Sequence, residues 1–123
     1  MRRSLLVALL MFTARPAWSH AVLIDSAPTP NGHVPAGPLH ITLRYNSRID
    51  AGRSKLTLVR PDESSERLTQ IDSGRPDILR TTLELTPGDY VIRWQVLAVD
   101  GHITRGNVPF TVDQSQAARP GAR

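Results

Sequence analysis

Hydrophobic and polar residues alternate along most of this chain, in short runs broken by turn-forming residues. The clearest run covers residues 39–45. Leu39, Ile41, Leu43 and Tyr45 fall on one side and His40, Thr42 and Arg44 on the other, the period of two that marks a half-buried strand. Residues 55–59 predict another strand, closed by Arg60, Pro61 and Asp62. Residues 78–85 align Leu79, Thr81, Leu83 and Leu85. After Thr86-Pro87-Gly88 the longest strand, 89–99, places Tyr90, Ile92, Trp94 and Val96 on one face, and 107–112 ends the pattern with Val108, Phe110 and Val112. An extended start at 20–24 and a short edge strand at 67–71 complete the set, while residues 25–32 are dense in turn formers and read as a loop.

Helical periodicity is hard to find beside this pattern. About seven short strands spaced near ten residues apart predict an all-β fold, an Ig-like Greek-key antiparallel sandwich or barrel. Leu85-Thr86-Pro87-Gly88-Asp89-Tyr90 has the form of a tyrosine corner, in which the hydroxyl ties back to the backbone a few residues upstream. Trp94, further along the same face, is the expected centre of the core.

The first residues break the alternation. Arg2 and Arg3 precede an apolar run at 5–12, and Ala17 and Ser19 supply the small residues that flank a secretory cut. The run is too short for the roughly 20 apolar residues of a membrane span. Residues 1–19 therefore read as a signal peptide cleaved after Ser19, residues 20–113 as one domain, and the polar end, 114–123, as a disordered tail. Cleavage changes the charge: the formal +4 of the whole chain drops to +1, because Arg2, Arg3 and Arg15 leave and no acid does. Residues 20–113 hold 10 basic and 11 acidic side chains, so the basic character belongs to the ends and gives no reason to expect a nucleic-acid partner. The chain has no cysteine, and both methionines, Met1 and Met11, lie in the leader.

Processing also creates chemistry. As the first residue, His20 carries a free α-amine beside its imidazole, with ordinary pKa values of about 8 and about 6.5. The two nitrogens can close a six-membered chelate ring on one metal ion. Eighty residues on, Asp100-Gly101-His102 offers a carboxylate and a second imidazole; in an extended strand Asp100 and His102 project from the same face. Alone, the triplet also fits an ordinary strand corner with a solvated aspartate. With His20 it makes three nitrogens and one oxygen, the tetragonal set that copper(II) prefers; without sulfur, a copper(I) site is disfavoured. His33, in the turn region, and His40, on the polar face of its strand, read as solvated surface histidines, His33 being the better candidate for an accessory ligand.

The segments His20-Ala21-Val22-Leu23, Ser26-Ala27-Pro28 with Gly32, Leu43-Arg44-Tyr45, and the run from Leu85 to Trp94 continuing through Asp100-Gly101-His102 to Gly106 and Phe110 resemble the CopC family of periplasmic copper-binding proteins. The resemblance spans nearly all of residues 20–112. It implies that His20, Asp100 and His102 bind copper(II), and that the partner is an inner-membrane protein of the CopD type or another copper-resistance component. Three departures stand out: no methionine-rich copper(I) loop, Ala98 where the family often has serine, and Asn46-Ser47-Arg48 where it is often acidic. The expected function is storage or delivery of copper in the periplasm, without substrate turnover. Two other readings stay open. One is an N-terminal-histidine copper monooxygenase acting on polysaccharide, against which stand the short chain and the core placement of Tyr45, Tyr90, Trp94 and Phe110. The other is a metal-free Ig-like interaction module.

Overall fold

The computed structural model describes residues 21–114. The alternating runs become eight strands: β1 Leu23–Ala27, β2 Gly32–Pro35, β3 Gly37–Tyr45, β4 Ile49–Val59, β5 Ser65–Arg67, β6 Ile78–Leu85, β7 Gly88–Ala98 and β8 Ile103–Asp113. They form two sheets, β1-β3-β6 and β2-β8-β7-β4-β5, and the chain crosses between them at β1–β2, β2–β3, β3–β4, β5–β6 and β6–β7. The result is an Ig-like sandwich. Its core is the set of inward positions foreseen from the pattern: Ile41, Leu43 and Tyr45 from β3, Leu79 and Leu85 from β6, Tyr90, Ile92, Trp94 and Val96 from β7, and Val108, Phe110 and Val112 from β8.

Two features hold the centre. The Tyr90 hydroxyl donates to the Thr86 carbonyl at 2.8 Å, closing the tyrosine corner. Trp94 packs edge-on against Tyr45, ring centroids 5.3 Å apart, and lies across Gly106, its partner on β8. A Cβ at Gly106 would sit 2.3 Å from the Trp94 ring. The indole occupies the space that any other residue at 106 would fill.

The strands depart from the sequence reading in several places. β1 runs on to Ala27, into the stretch read as turns, because residues 25–27 pair with β3, and β3 itself begins two residues early, at Gly37. Residues 32–35, which begin at the last residue of the stretch read as loop and otherwise carried no predicted element, form β2, whose pairing with β8 is parallel, so the sandwich is not wholly antiparallel. The short edge strand is centred at 65–67 rather than 67–71, where only an isolated bridge joins Ile71 to Arg80. β8 begins four residues earlier, at Ile103. β4 also begins earlier, at Ile49, and contains a bulge in which residues 51–54 stand opposite Val96. Buried Ser54 stitches that bulge: its hydroxyl donates to the Asp50 carbonyl at 2.6 Å and accepts from the Leu97 amide at 3.2 Å. The bulge thereby holds the last turn of β7, next to the loop that leads to His102.

Candidate metal centre

The loop between β7 and β8 is built by its backbone. The Gly101 amide donates to the Ala98 carbonyl at 2.9 Å, and the Ala98 amide donates to the His102 carbonyl at 2.9 Å. This is a three-residue hairpin loop, a tight turn followed by a left-handed residue. Gly101 supplies that residue, with φ at +88°. No atom lies within 4 Å of where its Cβ would be, so the glycine answers to backbone conformation and not to crowding.

Within this loop Asp100 and His102 come together. The Asp100 carboxylate accepts from the His102 amide at 3.0 Å through Oδ1, and Oδ2 lies 2.9 Å from His102 Nδ1. They meet across a turn, and not, as the extended-strand reading expects, as two side chains on one strand face. The difference has a physical cause: an aspartate carboxylate readily bonds a backbone amide two residues on, which competes with continued strand. Both side chains keep access to solvent, with 23% of the Asp100 and 45% of the His102 side-chain surface exposed. A carboxylate held on one ring nitrogen orients the imidazole, as it does for many metal-binding histidines.

The start of the described chain is fastened beside this loop. Ala21 is buried, and its carbonyl accepts from the Thr104 hydroxyl at 2.8 Å. Val22 is clamped twice by Asn46: its amide donates to the Asn46 side-chain oxygen at 2.8 Å, and its carbonyl accepts from the Asn46 amide at 3.0 Å. Thr104 stands two residues after His102, about 7 Å along an extended chain. Neither Thr104 nor Asn46 figures in the reading of the sequence as a site residue, since their contacts span 83 and 24 positions. His20 itself lies outside the described residues. Among those described, no group of three or more His, Cys, Asp or Glu side chains is gathered.

The other histidines stand apart from this loop. His33 lies on β2 with Nδ1 3.1 Å from Asp113, and it pairs in register with Thr111, nine residues along β8 from His102, roughly 30 Å for an extended strand. His40 is exposed on β3 opposite Thr82. Two carboxyls are held below the usual carboxylate range, Asp62 by hydrogen bonds from Ser64 and Asp77 by the Arg75 guanidinium; both serve loops. Burial drives the Tyr45 hydroxyl well above its ordinary value, so it stays neutral in the core. Tyr45, Tyr90, Trp94 and Phe110 are all buried and present no aromatic platform.

The chain is 31% identical over 118 residues to Protein YobA of Escherichia coli (strain K12), a match covering 89% of this chain and 95% of that one. It is 23% identical over 115 residues to the copper transport protein CutJ of Bacillus subtilis (strain 168), covering 90% of this chain but 21% of CutJ. Among solved structures, CopC from Methylosinus trichosporium OB3b superposes with a TM-score of 0.68 at 29% identity, covering 77% of this chain and 95% of that one. PcoC, a methionine-rich copper resistance protein from Escherichia coli, superposes at 0.63 and 25% identity, covering 77% of this chain and all of PcoC (100%). The model of the CopC domain matches residues 23–113, and on that match the chain belongs to the CopC family.

Proposed function

We propose that this protein is exported, loses residues 1–19 after Ser19, and binds copper(II) in the periplasm through His20, Asp100 and His102. The domain on this reading is 20–113, followed by the polar tail 114–123, of which 115–123 lie outside the described residues. The observation that carries it is the double fastening at the start of the described chain. Ala21 is held by Thr104 and Val22 by Asn46, so the described chain begins at a fixed point beside the Asp100–His102 loop. A peptide step is 3.8 Å, well within the span from Thr104 back to His102. Support also comes from the relatives whose names carry copper resistance or copper transport.

The donor set suits the ion. Imidazole, amine and carboxylate match the tetragonal nitrogen and oxygen preference of copper(II), and a chain without cysteine or post-leader methionine offers no thiolate or thioether to stabilise copper(I). The activity is ligation and hand-over, with no substrate turnover. CutJ contains the matching segment as 21% of a longer copper transport protein. The partner on this reading is an inner-membrane protein of the CopD type.

The test is a copper(II) titration of protein beginning at His20, followed by fluorescence of Trp94, the one tryptophan left after cleavage. One equivalent should quench it. His102→Gln should weaken binding by more than about 100-fold, beyond the 10–100-fold loss expected when only a supporting hydrogen bond is removed. An unchanged affinity in that variant would remove His102 from the site.

A further inference from the structure

Ten basic side chains are spread through residues 21–114, and strand pairing gathers four of them. Lys55 on β4 and Arg105 on β8 flank Gln95 of β7, while Arg93 of β7 and Arg67 of β5 flank Thr57 of β4. All four cations are exposed and lie on the outward side of the five-stranded sheet. With strands about 4.8 Å apart and alternate residues about 7 Å apart, they occupy a patch roughly 15 Å by 7 Å at the level of the backbone. None of the four pairs with a carboxylate among the described residues; the one polar partner is Gln95, which accepts from Arg105 Nε at 2.8 Å. The nearest acids on the same face are Asp89, four residues from Arg93 along β7, and Asp50, which stands opposite Leu97 in the row after Gln95 and turns to Arg53. Glu66, beside Arg67, turns to Arg60 instead.

We propose that this face docks the acidic surface of a protein partner. Four uncompensated cations on a domain whose net charge is close to zero call for carboxylates opposite, and three of the four are arginines, whose planar fork suits bidentate carboxylate pairing. The side chains between them, Thr57, Gln95 and Asn107, are hydrogen-bonding and flat. A membrane-binding face would instead set bulky apolar prongs among its cations; here the aromatics of the described residues, Tyr45, Tyr90, Trp94 and Phe110, are in the core, and exposed Ile103 and Val99 lie beyond the cation rows. The next row toward the metal loop is Asp50, Leu97 and exposed Ile103, with exposed Val99 in the loop itself. A docked partner therefore has Asp100 and His102 at its rim. That this partner receives the metal rests on the copper reading; the docking surface does not.

The probe is hexaglutamate, added to isotope-labelled, metal-free protein beginning at His20, with amide resonances followed at ~20 mM and ~200 mM salt. Shifts should concentrate on Lys55, Arg67, Arg93, Arg105 and their cross-strand partners. Binding should weaken about tenfold at the higher salt and at least about tenfold in Arg93→Glu/Arg105→Glu. Both residues are exposed, so the variant should keep its melting temperature; Arg93→Gln/Arg105→Gln, with an intermediate loss, guards against misfolding. Shifts elsewhere, or binding indifferent to charge reversal, would overturn the proposal. So would co-sedimentation with phosphatidylglycerol vesicles at protein concentrations where hexaglutamate causes no shifts. Copper(II) titration of the same variant separates the two readings: its affinity should be unchanged, and a protein that binds the peptide but no copper would sink the metal reading while leaving this surface standing.

Discussion

Single residues decide whether the loop before β8 presents its imidazole. Gly101 is there for its φ of +88°, so Gly101→Ala meets no clash but adopts a left-handed conformation at a cost of about 1–2 kcal/mol. Thermal melting of that variant should show a loss of this size, with weakened copper binding alongside. Thr104 acts differently. Thr104→Val keeps shape and volume but removes the donor to the Ala21 carbonyl. We expect it to lower copper(II) affinity about tenfold, at the lower end of the range for supporting hydrogen bonds, while costing stability about 1 kcal/mol. Calorimetric titration beside a melting curve checks the split. Equal affinity with lowered stability would reduce Thr104 to a fold contact. The Asp100-Gly101-His102 triplet was legible as chemistry in the sequence; the turn that joins its ends was not, because a strand ending and an aspartate turn share the same residues.

The elements that alternate over seven or more residues were readable: β3, β6 and β7 emerge with the buried faces their pattern predicts. The rest depends on distant partners. β2 is four residues of Gly-His-Val-Pro, too short to alternate, and it exists because β8 offers an open edge to pair with. The β4 bulge is invisible locally, since Ser54 is placed by a carbonyl four residues back and by an amide 43 residues away. Ser54→Ala strips partners from the Asp50 carbonyl and the Leu97 amide and should cost about 1–3 kcal/mol. Gly106 is the sharper probe of the sandwich. Gly106→Ala must displace the Trp94 ring, an overpacking penalty of about 1–3 kcal/mol that should appear as a red-shifted Trp94 emission and a lowered melting temperature. A variant with wild-type emission would show that β7 and β8 yield there.

At the scale of the whole molecule, the fold brings two distant parts of the chain to one end of the sandwich. β7 and β8 deliver Asp100 and His102 in a hairpin loop, and β8 with the segment after β3 fixes residues 21 and 22 beside it. No disulfide helps, because the chain has no cysteine. Copper(II) takes its donors deprotonated, so affinity should fall as pH drops, with protons released on binding. The central claim is narrower than copper binding. It is that the free amine of His20 is one of the donors, so that removal of the leader creates the site. Electron paramagnetic resonance of copper(II) bound to protein beginning at His20, set against the same protein with one extra residue before His20, tests this directly. The first should give a tetragonal, nitrogen-rich spectrum at one equivalent, and the second a weaker site with an altered spectrum. Identical spectra and affinities from the two proteins would contradict it.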